Sequence, residues 1–295
     1  MEKTQPSTTA EIVAFFRALE SAQPADRRLF HDPLAAGFLR PWLRSLARGS
    51  AWPLIGPWLV ARIDARWPGA RTSGIARTRL IDDWVRDATA SNARQALILG
   101  AGFDSRAWRL AALRQVPVFE VDHPATSAAK QLRLAAMGAA LSRVTFIPVD
   151  FEQDRAPEAL AKAGFDWEKP AVVIWEGVTN YLTADAVAQT LRWIASLAPT
   201  TRLIFTYVHE GVLTQPADFE GAPQILLAVT GTGEPWTFGV RPEALPGYLQ
   251  QHGFRLIEDL GANDYRVRYF GDAAKRMRGY EFYRVALAEV IGVNS

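Results

Sequence analysis

The sequence predicts an α/β fold: a doubly wound, mostly parallel seven-stranded sheet with a helical N-terminal cap and a lid-like insertion. Three observations carry this reading. From residue 95 onward, short apolar runs alternate with helical stretches, the pattern of βαβ units. The first of those runs ends in the glycine pair Gly100 and Gly102. Before residue 90, apolar residues recur at helical spacing instead.

In the cap, Ile12, Val13, Phe15, Phe16 and Leu19 share a helical face behind the cap candidates Thr8 and Thr9. Asp32-Pro33 opens a second helix with Leu34, Phe38 and Leu39 on one side, and 77–88 forms a third with Leu80, Ile81, Trp84 and Val85 inward. The apolar stretch 51–61 is broken by Pro53, Gly56 and Pro57 and meets Arg62, so it reads as a buried or interfacial helix-turn. It is far short of the roughly 20 residues a bilayer span needs. The expected strands are 96–99, 116–121, 144–149, 171–175 and 202–208, with helices at 106–113, 125–137, 156–163 and 184–197 between them. Glycines and prolines between 210 and 240 allow no long unbroken helix there. A helix over 242–252, a strand near 254–259 and a last strand over 283–290 close the chain, the final two free to pair antiparallel. The expected organisation is one domain over 1–295, with a cap at 1–90, a cofactor-binding core at 91–209, a lid insertion at 210–240 and a C-terminal helix and strands at 241–295.

Composition narrows the function. Apolar residues make up 49% and charged residues 22% of the chain, enough for a sizeable core. The net charge of +2 provides no dense basic patch, which disfavours nucleic acid as a partner. The absence of cysteine excludes disulfides, thiolate zinc sites and a cysteine nucleophile. The first residues lack the apolar core of a signal peptide, and no segment reads as a membrane span, so the expectation is a cytoplasmic protein with no membrane partner.

In an open α/β sheet, ligands bind beyond the carboxyl ends of the strands. There the first strand offers the loop Gly100-Ala101-Gly102, where a side chain would hold a ligand off the backbone. A short G-x-G also serves as an ordinary tight turn. The second strand ends at Asp122, 22 positions after Gly100, where a carboxylate can accept both hydroxyls of a ribose or cap the following helix. The third ends at Asp150-Phe151, a pair suited to an adenine amino group and ring, and the fourth at Glu176. Each could separately be a cap or turn, but four successive strands ending in a glycine or a carboxylate at one rim point to a nucleotide site. Ser105 stands where a dinucleotide fingerprint carries its third glycine, and Asp104 occupies the phosphate position. A carboxylate repels a pyrophosphate but suits an amino group and a sulfonium, which favours S-adenosylmethionine over NAD.

With those residues in place, the chain resembles the leucine carboxyl methyltransferase family, in particular its bacterial branch of S-adenosylmethionine-dependent class I methyltransferases. The matching segments are Leu99-Gly-Ala-Gly-Phe-Asp-Ser-Arg106, Phe119-Glu-Val-Asp-His-Pro124, Val149-Asp-Phe-Glu152 and Glu176-Gly-Val-Thr-Asn-Tyr-Leu182. Phe30-His-Asp-Pro33, Ala76-Arg-Thr-Arg79 and Gly233-Glu-Pro-Trp236 also match. The resemblance implies that Arg77 binds the methionine carboxylate of the cofactor, with Arg17 assisting; a surface ion pair is the alternative for either, and Arg79 is easily confused with Arg77. It further implies that Gly100 and Gly102 line the cofactor, that Asp122 holds the ribose, that Asp150 and Phe151 bracket the adenine, and that Glu176 faces the methionine amino group. The acceptor does not transfer with the fold.

Methyl transfer needs alignment and a dry pocket. A carboxylate acceptor needs no base, whereas a phenol or alcohol benefits from one. His209, just past the fifth strand, is the candidate base; a loop or capping histidine is the other reading. Tyr181 and Tyr207 either contact the acceptor or pack in the core, and Trp236 and Phe238 either close over it or anchor the insertion. No metal is expected, because the acidic residues lack histidine companions. The expected function is O-methylation of a carboxyl or hydroxyl of a small-molecule metabolite. Protein C-terminal carboxyl methylation, a non-catalytic cofactor-binding regulator and a nicotinamide-dependent oxidoreductase are the alternatives.

Overall fold

The computed structural model describes residues 8–149, 156–231 and 235–292. Four helices precede the sheet: α1 (Thr8–Ser21), α2 (Pro41–Gly49), α3 (Ile55–Arg66) and α4 (Ala70–Ser91). The helix expected from Asp32 is a single turn at Ala35–Phe38. The Asp32 carboxylate accepts the N–H groups of Leu34 and Ala35, and the chain becomes extended at Leu39 and Arg40. Pro41 favours that extended geometry in the residue before it. Helix α4 starts seven residues earlier than the apolar pattern suggested, because small and polar residues such as Ser73 and Gly74 are buried in its first turns.

The sheet then forms with β1 (Gln95–Leu99), α5 (Arg106–Arg109), β2 (Val118–Asp122), α6 (Pro124–Ala136), β3 (Thr145–Pro148), α7 (Ala156–Lys162), β4 (Ala171–Trp175), α8 (Ala184–Ala195) and β5 (Arg202–Val208). Helices α9 (Gly211–Thr214), α10 (Ala222–Gly231) and α11 (Leu245–Gln251), strand β6 (Phe254–Leu260), α12 (Ala262–Phe270) and β7 (Tyr283–Val290) complete it. Strand order is β3-β2-β1-β4-β5-β7-β6. The first five strands are parallel, and β7 runs antiparallel between β5 and β6. Alternate residues of β1 feed opposite faces: Ala96 and Ile98 pack with the cap helices, while Leu97 and Leu99 pack with α7 and α8. Burial on both faces is what a parallel sheet between helices requires.

Helix α2 was not among the expected elements, and two helices after β5 depart from the outline as well. Within the insertion, α10 runs for ten residues with Pro223 in its first turn, where the missing N–H costs nothing. Helix α12 has no apolar stripe to announce it, since its buried side chains include Tyr265 and Arg266. The reversal of strand order falls between β1 and β4, whose ends carry Gly100 and Glu176. That crevice is where open α/β sheets bind ligands.

Candidate active site

The glycine loop leaves β1 in the left-handed region, with φ of +62° at Gly100 and +46° at Gly102. A Cβ at Gly100 would overlap the Val178 side chain, and one at Gly102 would lie 3.1 Å from Ala10 Cβ. Both positions therefore need glycine for backbone shape and for close approach. The Gly100 N–H donates to Val121 O at 2.8 Å, and the Ala101 N–H shares that carbonyl at 3.3 Å, which ties the loop to β2. Asp122 completes the tie: its carboxylate accepts the Gly102 N–H at 2.5 Å and the His123 N–H at 2.7 Å. The N-cap of α6 is His123, whose Nδ1 accepts the Ala125 N–H. Asp122 is thus not the helix cap; it fixes the loop. Burial raises its pKa above the ordinary value despite those two N–H donors.

Behind the loop runs a buried ion network that joins the cap to the sheet. Arg17 Nε donates to Asp32 at 2.9 Å, and Ser105 Oγ donates to the same carboxylate at 2.6 Å. Arg109 donates to Ser105 Oγ at 3.2 Å and to Asp82 at 2.8 Å. Arg106 then reaches Asp82 at 2.8 Å, Asp104 at 2.5 Å and Glu176 at 2.8 Å. Arg77 Nε closes the chain on the other Glu176 oxygen at 2.9 Å. Four guanidiniums face four carboxylates, so the network is neutral overall, the condition under which buried charges are tolerated. Burial would raise the Asp104 pKa, but Arg106 outweighs it and brings it down to about 2. Glu176 is also held below its ordinary value, burial being outweighed by Arg106 and Arg77.

Arg77 is the network's outlet. It is 5% exposed, its Nη groups make no hydrogen bond among the described residues, and its guanidinium lies 4.7 Å from the Tyr283 ring centre. It also lines a cavity of about 120 Å³. The other walls come from α1 (Ile12, Phe16), from α10 (Ile225, Val229) and from Tyr181, Trp236 and Tyr280. Trp236 Nε1 is buried there without a hydrogen-bond partner among the described residues.

The expected site residues divide accordingly. Gly100, Ala101, Gly102, Asp104, Asp122, Glu176 and Arg77 meet at the β1–β4 crevice. Arg79 forms the half-exposed helical ion pair, with Asp83, and Arg77 the buried one. Arg17 is committed to Asp32 and to the carbonyl of Phe103, so it braces the loop and does not share the Arg77 cavity. Asp104 faces back to Arg106, so its charge is spent inside the network instead of standing open at the rim. Asp150 and Phe151 lie outside the described residues.

Among the proposed acceptor-side groups, Tyr181 lines the cavity, its ring 6.5 Å from Trp236. Tyr207 does not: on the opposite face of β5 it is fully buried, its hydroxyl bonded to Asp259 at 2.8 Å and Arg284 at 3.0 Å. The alternation of side chains along a strand sends it away from the crevice. His209 is absent from the cavity wall; its Nδ1 accepts the Gly211 N–H at 3.0 Å and its ring packs on Phe219. It therefore takes the capping role. Phe238 packs in the core near Tyr248, while Trp236 reaches the cavity. Sequence reasoning missed Asp82, Arg109 and the bridging role of Arg106. The available signal was Asp82 itself, a charge at a buried α4 position between Thr78 and Val85.

The family model of leucine carboxyl methyltransferase matches residues 10–195, about two thirds of the chain. A protein of Frankia alni, named as a candidate S-adenosyl-L-methionine-dependent methyltransferase, is 35% identical over 263 residues, covering 86% of this chain and 85% of its own. One of Streptomyces coelicolor, similarly named, is 36% identical over 262 residues with the same coverage. The chain belongs to the leucine carboxyl methyltransferase family. It is an S-adenosylmethionine-dependent methyltransferase. A candidate methyltransferase from Thermobifida fusca shares the fold, with a TM-score of 0.60 at 16% identity over 99% of this chain and 97% of that one.

Residues of this methyltransferase fit the cofactor by their chemistry. The φ-positive glycines leave bare backbone at the crevice, Asp122 retains free lone pairs beyond its two N–H bonds, and Glu176 stays ionised. Arg77 brings a permanent charge and Nη donors that are unused among the described residues.

Proposed function

We propose that this family member methylates the carboxyl group of a small, largely apolar molecule held in the cavity beside Arg77. The observation that carries the reading is the cavity wall: aliphatic and aromatic side chains with Arg77, the Tyr181 and Tyr280 hydroxyls, threonines and the Trp236 indole, and, among the described residues, no histidine, aspartate or glutamate. A hydroxyl acceptor needs a base within hydrogen-bond reach. A carboxylate arrives deprotonated and needs donors, which the Tyr280 hydroxyl and the Trp236 indole N–H supply while Arg77 serves the cofactor. The cavity volume of about 120 Å³ favours a compact molecule over a peptide tail.

In this reading the glycine loop and Asp122 hold the ribose, Asp150 and Phe151 the adenine, Glu176 the amino group and Arg77 the methionine carboxylate, with Arg17 stabilising the loop through Phe103. The bound cofactor supplies a methyl group on a sulfonium, an electrophile that needs no metal. The chain's own work is positioning and exclusion of water. Tyr181 and Trp236 orient the acceptor, and α10 covers it as a lid. His209 and Tyr207 take no part in transfer. An acceptor screen with S-adenosylmethionine labelled in its methyl group tests the proposal. Carboxylic acids should yield base-labile methyl esters; turnover confined to phenols or alcohols would refute the carboxyl assignment.

A further inference from the structure

Helices α2 and α3 and the α2–α3 corner, the turn that joins them, carry the densest run of exposed apolar side chains among the described residues and play no part in the site above. Trp42, Trp52, Leu54 and Trp58 are 58, 65, 90 and 61% exposed. Every exposed tryptophan among the described residues falls between Trp42 and Trp67. Soluble monomers seldom leave an apolar patch of this kind uncovered without a binding role.

The charges around it have one sign. Arg48, Arg62 and Arg66 are exposed and form no ion pair among the described residues. Arg62 lies 5.3 Å from the Trp58 ring centre and Arg66 lies 5.5 Å from that of Trp67. The only acidic residue between 40 and 67 is Asp64, and Arg71 neutralises it at 2.6 Å. Tryptophan with arginine on an exposed helix pair is the composition of helices that lie in a membrane interface, the indoles at headgroup depth and the guanidiniums on anionic lipid. Leu54, almost fully exposed at the turn before α3, adds an apolar side chain that can enter the acyl boundary beside the indoles. No helix of the described chain is long and apolar enough to cross a membrane, so contact there is peripheral.

We propose that the α2–α3 corner docks the protein on an anionic lipid surface, against the expectation of no membrane partner. The test is flotation of the full chain with vesicles of phosphatidylcholine alone or mixed with phosphatidylglycerol, at low and high salt. Binding should require phosphatidylglycerol and fade as salt rises. Replacing Arg48, Arg62 and Arg66 together by Gln should weaken binding on the order of a hundredfold, roughly fivefold for each charge near the surface. Trp52→Ser with Leu54→Ser should weaken it as well. Both variants should keep the wild-type circular dichroism and affinity for S-adenosylhomocysteine, which separates lost docking from lost folding. Equal binding to neutral vesicles, no binding, or no effect of the arginine replacements would overturn the proposal. So would a dimer in sedimentation that the Trp52→Ser and Leu54→Ser changes disperse, because the corner would then belong to a second copy of the chain.

Discussion

Arg106 touches three carboxylates from three parts of the chain: Asp82 in α4, Asp104 in the glycine loop and Glu176 after β4. Replacing it with methionine strands those charges in a buried setting, so Arg106→Met should lose about 3–5 kcal/mol of stability. Chemical denaturation measures this directly; a loss under 1 kcal/mol, the scale of an exposed pair, would mean that water reaches the network. The two tyrosines separate by the same reasoning. Tyr181→Ala should raise KM for the acceptor and leave cofactor affinity intact, because Tyr181 lines the cavity. Tyr207→Phe should leave both unchanged and cost about 1.5–3 kcal/mol, the worth of a hydroxyl bonded to charged partners. Steady-state kinetics with a thermal melt distinguishes these outcomes, and an altered KM in Tyr207→Phe would return that residue to the site. The candidate carboxylates at strand ends were legible in the sequence because rim position follows from the βαβ pattern. Their internal partners were not. Arg106 and Asp104 are only two residues apart, but Asp82 and Glu176 come to them only through the fold.

At the scale of elements, the strand-to-helix loop after β1 depends on backbone conformation. Gly100 combines φ of +62° with contact against Val178, whereas Gly138 has φ of +72° and open space around it. Gly138→Ala should therefore cost only the left-handed penalty of about 1 kcal/mol. Gly100→Ala should cost more and should also weaken cofactor binding; equal costs in urea melts would show that Val178 yields freely. All seven strands were legible within a few residues, since buried parallel strands are short apolar runs closed by turn residues. Helix α12 was not, because it buries a tyrosine and an arginine instead of an apolar stripe. The turn at Ala35–Phe38 was read as a helix because Leu34, Phe38 and Leu39 have helical spacing. That pattern could not reveal that Asp32 would be drawn into the ion network and Pro41 would hold the chain extended.

For the whole molecule, the ion network couples the cap to the sheet and makes folding sensitive to acid. The folded pKa of Asp104 is about 2 against an ordinary 3.8, so its contribution is present above pH 3.8 and is lost as pH falls through 2. The difference corresponds to about 2 kcal/mol. Asp32 and Glu176 are shifted in the same direction, so the melting temperature should fall steeply between about pH 4 and 2. In Asp104→Asn that dependence should be shallower; an unchanged slope would remove Asp104 from the coupling. The fold was legible at this scale because the order of strands and helices fixes the layers, but the lining of the cavity was not, since it joins α1, α4 and α10 across more than two hundred residues. The most direct test of the central claim, a cofactor site centred on the glycine loop and Asp122, is calorimetric titration of the wild type and Asp122→Ala with S-adenosylhomocysteine. The wild type should bind with one-to-one stoichiometry, and Asp122→Ala should keep its circular dichroism while losing roughly ten- to a hundredfold in affinity, as for a hydrogen-bonded charged group. Equal affinity in the two folded proteins would contradict the account.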